Sequence, residues 1–176
     1  MSTPPLRLRL PIVTDEEQVR AAESEFAGSG FIFALGLQPD DPFDEWVERV
    51  RAHERGEQLP DSWVPSSFLL GVIDGADGDV VVGRTSIRYE LNDFLVHEGG
   101  HVGYGVRPQH RHQGFATAML RLSLARLEER GITRVLVTCD DDNLGSAAVI
   151  EACGGVLEDR RHRSDDTIVV RRYWIG

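Results

Sequence analysis

The sequence predicts an α+β fold: a mixed, mostly antiparallel sheet of six to seven strands with helices on both faces. Three observations carry this expectation. Two stretches read as β-hairpins, residues 67–89 and 156–175. Amphipathic helical runs with start and stop signals lie between the strands. One strand–helix–strand unit, residues 101–139, has a connection long enough for a parallel pair with a right-handed crossover. At 176 residues and 41% hydrophobic, the chain can bury one core, so a single domain over 1–176 is expected.

The elements follow in order. Leu6, Leu8 and Leu10 alternate with Arg7 and Arg9, a short strand stopped by Pro11. Thr14 reads as an N-cap with Glu17 as its capping-box partner, opening a helix to about Phe26. Gly28 and Gly30 break the chain, and a second helix spans about Phe43–Arg55, with Phe43, Trp46, Val47 and Val50 on one face. Pro60 and Pro65 mark residues 57–66 as loop. The runs Ser67–Ile73 and Val80–Tyr89 form the first hairpin across a turn rich in Asp and Gly. From Glu90 to Gly100 the pattern weakens. His101–Val106 is a strand stopped by Pro108, and a helix runs from about Gly114 to Arg130, with Gly131 as its C-terminal stop. Arg134–Cys139 is a buried-type strand. Asp142–Cys153 is a short helix with Asp142 as its cap, and Val156–Arg161 with Thr167–Ile175 closes the chain.

Composition excludes some functions. Nineteen basic against twenty-nine acidic residues give a net charge of -10, which argues against a nucleic-acid partner. Cys139 and Cys153 are too few for a disulfide framework and have no histidine at motif spacing, so neither a metal site nor a thiol nucleophile is expected. No leader-like segment opens the chain and no apolar run is long enough to cross a bilayer, so a soluble, cytoplasmic protein with no membrane partner is expected.

The segment Arg111-His112-Gln113-Gly114-Phe115-Ala116-Thr117 lies between a strand and a long helix. A glycine there lets main-chain N–H groups turn inward, and the helix N-terminus adds positive potential at the same place: the chemistry of a phosphate cradle. It is neither a dinucleotide-binding glycine triplet nor a Gly-Lys-Ser/Thr loop. Val106-Arg107-Pro108, two spacers, then Arg111, Gly114 and Ala116 resemble the acyl-CoA pyrophosphate signature of the GNAT N-acetyltransferases. Asn143, Ser146, Ile150, Glu151 and Gly154 follow the next strand at matching spacing, and Gly99–Pro108 is similar to one bacterial branch of predicted acetyltransferases. The resemblance covers residues 99–155 most strongly.

That resemblance implies an enzyme using acetyl-CoA, without a metal, to acetylate a primary amine of a small molecule or peptide by direct transfer in a ternary complex. It implies main-chain contacts to the pantetheine from Tyr104, Gly105 and Val106, a pyrophosphate site at Arg111, His112, Gln113, Gly114, Phe115, Ala116 and Thr117, and further contacts from Asn143 and Ser146. A homodimer is a family-level expectation. Many relatives place a tyrosine seven residues after the asparagine as the general acid; here that residue is Ile150. Tyr104, His101 and Glu90 are the candidates for acid and base, since each lies on or beside the strands next to the loop. The missing tyrosine also admits a second reading, a non-catalytic acyl-CoA-binding sensor or scaffold. Arg107, His110, Arg111 and His112 form a local basic patch suited to phosphates, and Asp140-Asp141-Asp142 reads either as an attractor for a cationic amine or as a solvated loop.

Overall fold

The computed structural model describes residues 5–165 and 167–176. Residues 1–4 and 166 of the expected 1–176 domain lie outside the described residues. Eleven regular elements follow one another: β1 (Arg7–Arg9), α1 (Glu16–Glu25), α2 (Phe43–Glu54), β2 (Ser66–Gly75), β3 (Gly78–Arg88), β4 (Val102–Val106), α3 (Phe115–Glu128), β5 (Val135–Asp140), α4 (Leu144–Ala152), β6 (Val156–His162) and β7 (Val169–Ile175). The strands form one seven-stranded sheet ordered β1-β2-β3-β4-β5-β7-β6. All neighbours are antiparallel except β4 and β5, the expected parallel pair. The C-terminal hairpin enters the sheet with β7 against β5, leaving β6 at the edge.

Strand alternation sorts the core onto two faces. Phe68, Leu70, Val72 and Val81 meet α1 and α2 through Val19, Ala22, Phe43, Trp46 and Val50. Leu69, Ile87, Val102 and Val137 point the other way, against Leu120 and Leu127 of α3 and Ala147 and Ile150 of α4. Trp46 donates its indole N–H to Leu35 O, so this large buried side chain leaves no orphan donor.

Two local expectations are corrected, and one unpatterned stretch takes a definite form. Thr14 does not cap α1; it lies inside a 3-10 turn, Val13–Asp15. The next residue does the closing: buried Asp15 accepts from Ile12 N at 2.8 Å and pairs with Arg9 at 2.7 Å, tying the end of β1 to the start of α1. Asp142 does not cap α4 either, because Asn143 Oδ1 accepts the Ser146 N–H at 3.0 Å. The weakly patterned stretch after Glu90 contains a π-helical turn, Leu95–Gly99, with Asn92 Oδ1 accepting from Leu95 N at its start. A single wide turn has too few residues for a readable period.

Candidate active site

The parallel pair meets at one residue pair only, Val102↔Val137. Beyond it the strands part. Arg107 N donates to Val82 O and Arg88 N donates to His101 O, so odd-numbered residues of β4 direct their main-chain groups at β3. The even-numbered Tyr104 and Val106 therefore direct N–H and C=O at the edge where β4 and β5 have separated. Gly105, expected to share that role, points its polar groups at β3. It is small for another reason: a Cβ there would lie 2.5 Å from the Phe31 ring.

The open edge leads to the glycine loop. A 3-10 turn, Pro108–His110, is followed by His112 at φ 60 and Gly114 at φ 83, both left-handed. Gly114 is the N-cap of α3 and carries no capping side chain. The first-turn amides of Phe115, Ala116 and Thr117 precede any possible intrahelical partner, and they converge with the helix dipole on the space in front of Gly114.

The expected basic patch is smaller than four residues. Arg107 is buried and turned away; its guanidinium grips Glu25 of α1 at 2.9 and 2.6 Å and donates to Val81 O. That hydrogen-bonded pair holds the Glu25 carboxyl below its usual range. His110 packs edge-on to Phe115, and burial lowers its proton affinity. Only Arg111 and His112 are exposed, with Arg111 Nε donating to Val106 O at 3.1 Å and its guanidinium over Phe26. Gln113 is also exposed and donates from its amide to Gln109 O.

Tyr104 sends its ring to the α3–α4 side, where its hydroxyl lies 2.8 Å from Ser146 Oγ on α4. Ser146 and Ile150 are one helical turn apart on the same face. Ile150 is fully buried in the core, and the Tyr104 hydroxyl comes to rest one turn from it. Burial raises the Tyr104 proton affinity well above that of an ordinary phenol, so the hydroxyl stays protonated across the neutral range. Asn143, exposed at the N-terminus of α4, orients Ser146 through its cap bond.

The two base candidates stand apart. His101 is buried, and its Nδ1 accepts the Leu136 N–H at 2.9 Å while its main-chain N–H donates to Leu136 O. The ring thus ties β4 to β5 just before they part, with its basic lone pair occupied. Burial lowers its proton affinity. Glu90 is exposed, two residues beyond the end of β3.

The acidic run is ion-paired: Asp140 with Arg163, and Asp141 with Arg160 and Arg171. Those partners favour the reading as a solvated, structural loop. Cys139 is buried with its thiol pushed up to about 11, and Cys153 is likewise raised by burial, so both are protonated at neutral pH. Among the described residues, no group of three or more His, Cys, Asp or Glu is placed to hold a metal, and no helix is long and apolar enough to cross a membrane.

On the α1–α2 side lies a cleft of about 300 Å³ that the sequence did not disclose. Its lining comes from the 61–66 loop, from Ser86 and Arg88 of β3, and from Asn92, Phe94 and Leu95. Asn92 donates to Ser62 O and so joins the two rims. One signal was present: after the apolar run Val80–Val82, Arg84, Ser86 and Arg88 alternate on a single face of β3.

The same fold recurs in known proteins. A model of the acetyltransferase (GNAT) domain matches residues 6–156. No curated protein matches the chain. RimJ of Mycobacterium smegmatis, solved with CoA-disulfide, superposes at TM-score 0.68 with 17% identity, over 97% of this chain and 81% of its own. For yncA of Salmonella typhimurium, solved with its cofactor acetyl-CoA, the TM-score is 0.64 and the identity 13%, over 97% and 93%. A spermidine N-acetyltransferase chimera of Vibrio cholerae SpeG and hSSAT gives 0.63 and 19%, over 97% and 94%. With most of its length matched by the domain model, the chain belongs to the GNAT family and is an acetyl-CoA-dependent acetyltransferase.

Proposed function

We propose that this enzyme transfers the acetyl group directly to a primary amine of a small molecule or peptide, both substrates being bound together. The observation that carries the reading is the single-pair contact of β4 with β5, which opens the Tyr104–Val106 edge directly above the Gly114 loop. A pantetheine arm hydrogen-bonds like a strand, so that edge suits it. The loop amides and the α3 N-terminus suit its pyrophosphate. Acetyl-CoA supplies an activated thioester.

The chain's own residues supply position and protons. The N–H of Tyr104, on the open edge, is the donor for the thioester carbonyl. The Tyr104 hydroxyl, held by Ser146, protonates the departing thiolate in place of the tyrosine absent at position 150. Its raised proton affinity keeps the hydroxyl protonated at neutral pH until the thiolate forms. His101 serves as the clamp between strands, since accepting a second proton would break its bond to Leu136 N. The ammonium proton of the acceptor leaves to water at the cleft mouth, so the rate should rise with pH until the acceptor amine is neutral.

Release of CoA thiol, followed over a panel of small amines and short peptides, tests the reading. Thiol release matched by acetylated amine supports it. Tight acetyl-CoA binding with no acetylated product from any amine would favour a sensor instead.

A further inference from the structure

Two arginines on β3 have no carboxylate partner among the described residues. Arg84 is 4% exposed; it donates to Ser86 Oγ at 2.9 Å and to Ile32 O, and lies 4.3 Å from the Phe31 ring centroid, yet its Nε has no partner among the described residues. Arg88 donates to Gly99 O and Gly100 O, each at 3.2 Å, and lines the cleft. Among the described residues neither forms a salt bridge. Glu23, whose field reaches Arg84, spends its Oε2 on Ala34 N–H. Burial, with the field of Arg88, pushes the Arg84 proton affinity down to about 9, which leaves it charged at neutral pH, and burial lowers Arg88 as well. Uncompensated buried charge is costly, and proteins retain it where something else offsets it.

Building on the transfer reading above, we infer that the acceptor is a compact amino carboxylate, such as an α-amino acid, whose carboxylate binds Arg88 and Ser86. The donors fit. Ser86 Oγ accepts from Arg84, so its own O–H is directed elsewhere, and Ser86 lines the same cleft as Arg88. A guanidinium and a hydroxyl together match the two oxygens of a carboxylate. Distance sets the size of the acceptor. The Arg88 nitrogens lie 3.6 and 3.7 Å from where a Cβ on Gly103 would stand, one residue from Tyr104. A carboxylate seated there leaves only a few bonds to an amine that must reach the open edge. Leu35, Trp63 and Phe94 wall the rest of the cleft for an apolar body, and Asp61 lies at its exposed mouth.

The test uses L-methionine and L-phenylalanine, each compared with its carboxamide and its decarboxylated amine. The free acid should exceed the carboxamide at least about tenfold in kcat/KM, although the less basic carboxamide amine is the more reactive at neutral pH. In Arg88→Gln that ratio should collapse toward one. Arg88→Lys, which keeps the charge and loses the fork, should fall between and serves if the first variant does not fold. Equal use of acid and carboxamide by the parent enzyme, or an equal loss of both in Arg88→Gln, overturns the inference while leaving transfer intact. If no probe is acetylated, calorimetry on CoA-saturated protein decides: Arg88-dependent binding of the free acids sustains the carboxylate site and sinks transfer to these amines. No binding of the free acids overturns it.

Discussion

The two halves of the proposed active site are made of different materials. On the cofactor side the work falls to main chain: the separated edge of β4, the left-handed turn at Gly114, and the first-turn amides of α3. On the cleft side the proposed contacts are side chains, above all half-buried Arg88 together with Ser86, whose Oγ accepts from buried Arg84. A main-chain site recognises what every acyl-CoA shares, a strand-like arm and a pyrophosphate. It depends on where side chains are absent. A side-chain site recognises what distinguishes one acceptor from another, and it is built from groups far apart in sequence. One fold can therefore keep its cofactor while changing its acceptor.

The strongest way to break the contrast is Gly114→Asp. It puts a Cβ and a negative charge in the cradle, at a φ of 83 that side chains rarely adopt. Acetyl-CoA affinity should fall by at least about 100-fold, or roughly 2.7 kcal/mol, by calorimetry. A folded variant that binds as the parent does would remove the loop as the phosphate site.

Next in size is Tyr104→Phe, which keeps the ring and the open edge and removes only the hydroxyl. A drop in kcat of about 100-fold, with little change in acetyl-CoA affinity, is the outcome expected for a general acid. If kcat falls less than about threefold, the thiolate leaves unassisted.

His101→Ala sharpens the contrast through stability. It strands the buried Leu136 N–H, a loss of about 1–3 kcal/mol, which lowers Tm by roughly 2–12 °C for a chain of this size. The pH dependence has a definite sign. Because burial lowers the folded-state proton affinity of His101, the unfolded chain binds its proton first as pH falls. Its contribution is therefore complete above the ordinary histidine pKa of 6.5 and is lost as pH drops below that value toward the depressed folded pKa. The variant should show a shallower fall of Tm between pH 7 and 5. His53 and His110, also lowered by burial, retain the remainder. An unchanged slope would mean that the ring is not held as described.

Glu90→Gln should have the smallest effect, a change in kcat/KM under about threefold across pH, because an exposed carboxylate outside the cleft lining has no held proton path. A loss of thirty-fold or more, confined to the acid side of the profile, would make Glu90 the base.

Much of this was legible beforehand, unevenly. The left-handed turn at Gly114 and the start of α3 could be read because both are local: a glycine at one position and an amphipathic run directly after it. Tyr104 could be named, but not the direction of its ring, which only the parity of β4 against β3 decides. Gly105 was misassigned for the same reason, since adjacent residues on a strand direct their polar groups oppositely. Asp142 and Asn143 both cap well, and neighbouring capping residues are not separable by propensity. The π-helical turn near Leu95 had no pattern to find.

The sequence by itself determined the order of strands and helices and the identity of the cofactor, because both rest on local rules: side-chain period, turn chemistry, and where a Cβ is forbidden. Tertiary structure alone decided the cleft proposed for the acceptor. Its walls come from Leu35, residues 61–64 and 66, Ser86, Arg88 and the 92–95 stretch, and the carboxylate site proposed at Arg88 exists only because folding leaves that half-buried guanidinium with no carboxylate beside it among the described residues. Whether a charge is compensated depends on its neighbours in space, and for Arg84 and Arg88 those neighbours are set by packing across the sheet.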